Sequence, residues 1–185
     1  MPELLAAIGR LDVAAFQWLR THSWPIADVI MAGLSDAARG STLWLGLAVL
    51  IAIFRSDRWP AATQVLLALV LSTVLTDYVT KPLFNRARPF EFDAATRVYG
   101  YKPTTRSFPS GHAAGAVAAA YTLSRLAPEA RSIFWVLGFL VAFSRVYLGV
   151  HYPADVIGGA LMGWAIAKVV VGGTRWRFAT GREVA

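Results

Sequence analysis

The sequence predicts an all-α protein, a polytopic membrane bundle of five to six transmembrane helices. Hydrophobic residues make up 56% and charged residues 16% of the 185 positions, whereas a soluble domain is about half apolar and about a quarter charged. Seven tryptophans fit the aromatic belts that form where helices leave a bilayer. The chain has no cysteine, which excludes disulfides and thiolate metal sites.

The first 25 residues predict an amphipathic helix rather than a cleavable signal peptide. They carry acids at Glu3 and Asp12 and lack a basic start followed by an apolar stretch. Apolar residues recur at helical spacing, at Leu4, Leu5, Ile8, Leu11, Ala15 and Leu19.

Apolar segments dominate the rest of the chain, at 26–54, 59–80, 113–124, 132–150 and 156–173. Several have charge-free cores shorter than the roughly 20 residues of a spanning helix, so each alone also fits a buried helix of a soluble protein. Five in succession with short connections favour the bilayer. Segment 26–54 is interrupted at Asp36, Arg39 and Gly40, and it therefore forms either one long helix or two. We expect a single domain over 1–185, with its core at about 60–172.

The connections divide between two faces if each apolar segment crosses once. Residues 81–108 and 145–155 share one face, and the prolines and aromatics of 81–108 predict a structured loop. The opposite face carries arginines that the positive-inside rule assigns to the cytoplasm, namely Arg55, Arg58, Arg125, Arg131, Arg175, Arg177 and Arg182. The first face is basic as well, so the rule assigns an orientation in the membrane only if the cations of that first face are occupied by a ligand. That face then lies outside, in the periplasm of a bacterium, and the chain lies in the inner membrane.

The net charge of +7 does not indicate nucleic-acid binding. The basic residues are scattered singly between apolar segments and form no polybasic face.

Cations that suit a phosphate group meet on the face of 81–108. Lys81 supplies a point charge, and the planar guanidiniums of Arg88 and Arg145 suit bidentate contact with phosphate oxygens. Pro109-Ser110-Gly111-His112 predicts a helix start with proline in the first turn. The N–H groups at Ser110 and Gly111 would then face an anion.

Two histidines and a carboxylate complete the predicted site. His151 and Asp155 are four residues apart on one helix face, so the carboxylate can orient His151 as a nucleophile. His112 can donate a proton to the leaving group and can then accept a proton from water. Taken singly, these residues also fit a helix-capping pair, a structural histidine and snorkelling arginines.

Other polar residues on this face have two interpretations. Asp77, four residues before Lys81, is expected to pair with it. Two roles are equally compatible with a further set of residues on this face: contact with a second phosphate or head group, or simple solvation. These residues are Arg86, Glu91, Arg97, Lys102 and Arg106.

In chain order these motifs read K-x6-RP (Lys81, Arg88-Pro89), PSGH (109–112) and SR-x5-H-x3-D (Ser144-Arg145, His151, Asp155). They resemble the type-2 phosphatidic acid phosphatase superfamily over roughly residues 60–172. The resemblance implies an all-helical core shared with soluble acid phosphatases and vanadium haloperoxidases. It also implies hydrolysis of phosphate esters or anhydrides through a phosphohistidine, without a metal or other cofactor.

A nucleophile in apolar surroundings suggests a lipid phosphate as the substrate. The compact bacterial forms that the chain resembles include phosphatases of undecaprenyl diphosphate, phosphatidylglycerol phosphate and lipid A, and the extra basic residues slightly favour a diphosphate. A soluble phosphatase or haloperoxidase and a non-enzymatic lipid-phosphate-binding membrane module are the alternatives of other classes. Oligomeric state has no signal in the sequence.

Overall fold

A computed structural model describes residues 2–21, 24–93 and 96–173. Every regular element in those ranges is a helix, which confirms the all-α class. In chain order the helices are α1 (Pro2–Arg20), α2 (Pro25–Ala37), α3 (Thr42–Phe54), α4 (Trp59–Thr73), α5 (Lys81–Phe84), α6 (Pro89–Phe92), α7 (Gly111–Leu126), α8 (Arg131–Tyr147) and α9 (Pro153–Gly173).

Helix α7 is the centre of the bundle, and α4, α8 and α9 pack around it. Small side chains allow such close packing in a membrane protein, and α7 buries a run of them at Ala113, Ala114, Ala116, Ala118, Ala119 and Ala120. At Gly163 of α9 an added Cβ would lie 2.1 Å from the carbonyl oxygen of Ala114. The backbones of α7 and α9 are therefore in direct contact.

Among the described residues, three helical stretches are long and apolar enough to cross a membrane, namely Trp59–Phe92, Pro128–Tyr147 and Pro153–Gly173. Helices α2 and α3 add a fourth if the pair, bent by 55°, counts as one span. Segment 26–54 thus forms two helices that meet at a sharp bend. The total of five to six crossings stays a prediction.

Two helix boundaries differ from the sequence-based expectation. Helix α7 begins at Gly111, with Ser110 as its N-cap, so the expectation that Pro109 lies in the first turn is wrong. Helix α4 continues through a π-helical stretch, Val74–Thr80, into α5. Lys81 therefore lies within a continuing helix and not at its end.

The grouping of connections on two faces is confirmed for the described residues. At one end, Arg58 donates from Nη1 to the carbonyl of Leu126 at 3.1 Å, and Arg55 pairs with Glu129 at 2.5 Å. At the other end, Arg88 donates to the carbonyl of Val150 at 2.8 Å. The arginines at 175, 177 and 182 lie outside the described residues.

Only part of the predicted apolar stripe of helix α1 packs against the bundle. Leu19 does so, whereas Ala15 is exposed, and the side chains of Leu4, Leu5 and Ile8 lie outside the described part of the structure. Asp12 and Phe16 are buried against the bundle, whereas Leu11 is 70% exposed. The carboxylate of Asp12 is buried because it has polar partners, which are part of the site described next.

Candidate active site

A cavity of about 230 Å³ opens beside the start of α7, at the end of the bundle that carries residues 81–108. Six of the eight predicted site residues line it, namely Lys81, Arg88, Gly111, His112, Arg145 and His151. The other two, Ser110 and Asp155, lie behind the cavity wall, where they contact lining residues.

Arg88 is held by backbone carbonyl groups. It is 1% exposed, and its guanidinium donates to the carbonyls of Thr105 (2.6 Å), Val150 (2.8 Å) and Arg106 (3.2 Å). Within the described residues, no carboxylate pairs with this guanidinium. Its charge is therefore available to an anion in the cavity.

Lys81 and Arg145 supply the other two buried cations. The ammonium of Lys81 lies 2.6 Å from Asp77 and 3.1 Å from the hydroxyl of Thr105, which confirms the predicted pairing with Asp77. Arg145 donates from Nη1 to the hydroxyl of Ser35 in α2. Its buried Nε has no hydrogen-bond partner in the described part of the chain.

His151 lies in the connection between α8 and α9, and its tautomer follows from its neighbours. Nη1 of Arg88 lies 3.1 Å from Nε2 of His151. Because a guanidinium only donates, Nε2 accepts this bond and the ring proton lies on Nδ1, 3.5 Å from Oδ2 of Asp155. Burial, together with the charges of Arg88 and Arg145, lowers the pKa of His151 to about 3. The ring is thus neutral at physiological pH, as a nitrogen nucleophile must be.

Asp155 is fully buried and accepts hydrogen bonds from several donors. Its Oδ1 accepts from Arg86 at 2.7 Å, and its Oδ2 accepts from the hydroxyl of Ser107 at 2.5 Å and from the N–H of Tyr152 at 2.9 Å. These donors fix the carboxylate beside Nδ1 of His151.

Helix α1 joins this network through Asp12. The carboxylate of Asp12 accepts from Arg86 at 2.5 Å and from the N–H of Ala154 at 2.7 Å. Arg86 therefore bridges Asp12 and Asp155. Asp12 is not among the predicted site residues. A carboxylate next to the apolar stripe of a helix is nevertheless a usable signal, because charge at membrane depth needs a partner.

His112 turns a free nitrogen toward the site. It lines the cavity, and its buried Nε2 has no hydrogen-bond partner in the described ranges. A buried polar atom without a partner is uncommon. This nitrogen is therefore free to bond a ligand.

The residues at the start of α7 have different contacts. The hydroxyl of Ser110 accepts from the N–H of Ala113 at 3.4 Å, and its own N–H donates to the carbonyl of Asp155 at 2.9 Å. Gly111 lines the cavity, and an added Cβ there would lie 3.4 Å from Asp77 and Thr76. Of these two residues, only Gly111 meets the cavity.

None of the five polar residues that had two interpretations lines the cavity. Arg86 is paired as described, Glu91 accepts from the N–H of Arg88 at 2.9 Å, and Lys102 lies 4.5 Å from the ring centre of Phe90. The side chains at 97 and 106 are exposed.

Arg39 is an additional cation at the cavity, and sequence analysis missed it. It lines the wall, pairs with Asp36, and stacks over the ring of Tyr101 at 4.1 Å. It lies in the bend between α2 and α3, where an interrupted apolar segment was the available signal. Over the ranges that the structure describes, no three His, Asp or Glu side chains are grouped to hold a metal ion.

Several known proteins are similar to this chain in sequence or in fold. An undecaprenyl-diphosphatase of Sulfolobus acidocaldarius is 35% identical over 156 residues, which cover 82% of this chain and 73% of the relative. The crystal structure of a PAP2-type phosphatidylglycerolphosphate phosphatase from Bacillus subtilis superposes with a TM-score of 0.75 at 28% identity, over 93% of this chain and 89% of that one. A bacterial vanadium-dependent iodoperoxidase shares the fold at 18% identity, with a TM-score of 0.71 over 87% of this chain and 48% of its own.

The family model described as PAP2 superfamily matches residues 61–179, which is more than half of the chain. This range contains all three motifs and every predicted site residue. The chain therefore belongs to the PAP2 superfamily and is a membrane lipid phosphatase.

Proposed function

We propose that the chain removes the terminal phosphate of a polyprenyl diphosphate, with undecaprenyl diphosphate as substrate and His151 as nucleophile. The observation that carries this proposal is the neutral Nε2 of His151 in a cavity with three buried cations. Two of them, Arg88 and Arg145, have no carboxylate partner in the described part of the chain. The cations neutralise phosphate oxygens, and the fixed tautomer places the lone pair of His151 on Nε2. When Nη1 of Arg88 moves its hydrogen bond from Nε2 to a phosphate oxygen, this lone pair can attack phosphorus.

The first step transfers the phosphoryl group to His151. A bond forms between Nε2 and phosphorus while the bond from phosphorus to the bridging oxygen breaks. His112 gives the proton of its free Nε2 to the leaving oxygen, since a phosphate dianion beside the ring favours the imidazolium form. The carboxylate of Asp155 stabilises the positive charge that develops on the ring of His151, and Nδ1 keeps its proton.

The second step returns the enzyme to its starting state. His112, now neutral, removes a proton from water, and the resulting hydroxide attacks phosphorus. The bond between Nε2 and phosphorus breaks, and inorganic phosphate leaves. No step calls for a metal ion, because Lys81, Arg88 and Arg145 supply the positive charge.

A diphosphate is favoured by the position of Arg39. The buried cations surround one phosphate, and Arg39, about half exposed at the cavity wall, is placed for a second. The basic residues from which the sequence favoured a diphosphate do not supply this contact, because none of them lines the cavity. The undecaprenyl-diphosphatase of Sulfolobus acidocaldarius supports the same choice.

We also propose that the site faces outward, on the periplasmic side of a bacterial inner membrane. The arginines at the opposite end support this orientation by the positive-inside rule. Since the chain has no cysteine, Arg106→Cys and Ser132→Cys each create a single label site, one at either end. A membrane-impermeant maleimide should label intact spheroplasts of the first variant only, and the reverse pattern would overturn the orientation.

The reaction is tested by phosphate release from detergent-purified protein in EDTA. The substrates are undecaprenyl diphosphate, phosphatidylglycerol phosphate, phosphatidic acid and lipid A, each with wild type, His151→Asn and the control Arg97→Gln. We expect release from the diphosphate that is lost in His151→Asn and retained in the control. Equal release by His151→Asn would contradict the covalent mechanism. Activity confined to phosphatidylglycerol phosphate or lipid A would overturn the proposed substrate but not the proposed nucleophile. Binding of a lipid without release of phosphate would indicate a non-enzymatic module.

A further inference from the structure

A second cavity lies at the end of the bundle opposite the candidate active site. It has a volume of about 540 Å³ and is lined by Arg58, Arg125 and Arg131 together with Tyr121, Ser124, Pro128 and Trp135. Arg125 lies 13 residues along α7 from His112, a rise of about 20 Å. A group bound here is therefore out of reach of the candidate catalytic residues.

Two of the three arginines in this cavity have no carboxylate partner among the described residues. Glu129 pairs with Arg55, which does not line the cavity, and Asp57 pairs with Arg58. The side chains of Arg125 and Arg131 form no hydrogen bond or ion pair with any other residue that the structure describes, and both residues are exposed. Two guanidiniums that converge on one cavity without a carboxylate favour an anionic ligand.

An apolar groove adjoins the cavity on the membrane side. It has a volume of about 550 Å³, is walled by α1, α8 and α9 with Val117 of α7 at its base, and shares Trp135 with the cavity. From Trp135 it extends along α8 as far as Val146. Val117 and Phe139 line the groove, and Phe139 is 67% exposed. Polar groups contribute little to its wall, which suits hydrocarbon.

The two helices carry matched series of side chains from the cavity into the groove. On α7, residues four apart change from Arg125 to Tyr121 to Val117, and they lie on one helix face. On α8, residues four apart change from Arg131 to Trp135 and continue in the groove with Phe139 and Phe143. Both series run from a cation through an amphipathic aromatic ring to an apolar side chain. This is the order of chemistry along a phospholipid from its phosphate through its glycerol to its acyl chains.

We propose that this cavity and groove bind an anionic glycerophospholipid that is not a substrate. Its phosphate lies between Arg125 and Arg131, and its acyl chains lie along the groove past Trp135. From Arg131 in the cavity to Phe143 in the groove, α8 rises about 18 Å, so the path is long enough for an acyl chain that fills the roughly 15 Å of one leaflet. Basic pockets between helices attract anionic lipids in this way. The bound lipid joins α7 and α8 on the side where they face the bilayer.

The test measures lipid binding and not phosphate release, so it is independent of the proposed reaction. Detergent-purified full chain is titrated with dioleoylphosphatidylglycerol, with dioleoylphosphatidylethanolamine, or with glycerophosphoglycerol, which is the first head group without chains. Bound lipid is counted by native mass spectrometry, and Tm is recorded in parallel. Phosphatidylglycerol is a phosphodiester without a terminal phosphate, so an enzyme that removes terminal phosphates does not consume it during the titration.

We expect phosphatidylglycerol to bind saturably and to raise Tm, and the other two compounds to bind at least 10-fold more weakly. Arg125→Gln combined with Arg131→Gln should weaken phosphatidylglycerol binding at least 10-fold. The matched control, Arg97→Gln with Arg106→Gln, removes two exposed arginines at the other end and should bind as wild type. If the double variant is not monodisperse by size exclusion, the two single variants replace it.

Three results would overturn the proposal. If phosphatidylethanolamine binds as tightly as phosphatidylglycerol, the site does not require a lipid with net negative charge. Equal binding of glycerophosphoglycerol would identify a site for a free anion and exclude a role for the groove. Wild-type affinity in folded Arg125→Gln and Arg131→Gln variants would place the lipid elsewhere.

Discussion

Replacing Gly159 by alanine tests the contact between α9 and the start of α7. An added Cβ at Gly159 would lie 2.3 Å from the carbonyl oxygen of Ser110 and 3.1 Å from its carbonyl carbon. A relaxed carbon–oxygen contact is about 3.3 Å, so one of the two backbones must move by about 1 Å. The neighbour is backbone and not a flexible side chain, and rotation about side-chain bonds therefore cannot relieve the overlap.

The expected cost of Gly159→Ala has a structural and a functional part. Overpacking costs about 1–3 kcal/mol, and in a protein of this size each kcal/mol lowers Tm by about 2–4 °C. A 1 Å displacement of Ser110 also moves Gly111 and His112, and such a displacement of reacting groups costs about 100-fold in rate. We therefore expect a lower Tm in detergent and a kcat/KM for phosphate release about 100-fold below wild type.

Gly172→Ala is the matched control on the same helix. Nothing lies within 4 Å of an added Cβ there, and alanine is favoured over glycine in a helix by about 1 kcal/mol. This variant should keep or raise Tm and should keep its activity. Wild-type Tm and kcat/KM in Gly159→Ala would refute the close backbone contact between α9 and α7.

Three further predictions concern the site. Asp12→Asn weakens the bridge through Arg86 to Asp155, and we expect kcat to fall about 10-fold with KM nearly unchanged; an equal rise in KM instead would place Asp12 in substrate binding. The pKa of His151 is lowered from 6.5 to about 3 on folding, so its contribution to stability is complete above pH 6.5 and is lost as the pH falls towards 3. Between pH 7.5 and 5 the loss is about 2 kcal/mol, and Tm should fall less over this range in His151→Gln than in wild type. Excess EDTA should leave phosphate release unchanged, and inhibition that one metal ion reverses would contradict the proposed mechanism.

The candidate site was largely predictable because its residues follow local rules. His151 and Asp155 are one helical turn apart, and a turn that opens a helix at Gly111 exposes N–H groups whatever the rest of the fold does. Composition alone favoured a membrane bundle. Helix boundaries were harder to predict from the sequence. The π-helical stretch between α4 and Lys81, for example, has the same apolar pattern as a regular helix.

The contacts that hold the site together were not predictable in this way. Asp12 and Arg86 are 74 residues apart, and Arg86 and Asp155 are 69 apart. Nothing in the local pattern of an amphipathic helix specifies which distant cation its one buried carboxylate meets. Ser110 shows the same limit, since its N–H is directed at Asp155 by the packing of α9 against α7.

The sequence by itself determined the helical class, the membrane character and the central charged residues of the site, Lys81, Arg88, Arg145 and Asp155. These properties depend on composition and on spacings within one or two helical turns, which the chain carries locally. Only the tertiary structure decided that Arg86 supports Asp155, that Arg39 lies at the cavity and that two arginine-bearing helix ends adjoin an apolar groove. Each of these depends on the relative positions of helices that are distant in sequence, and many packings are compatible with the same local pattern.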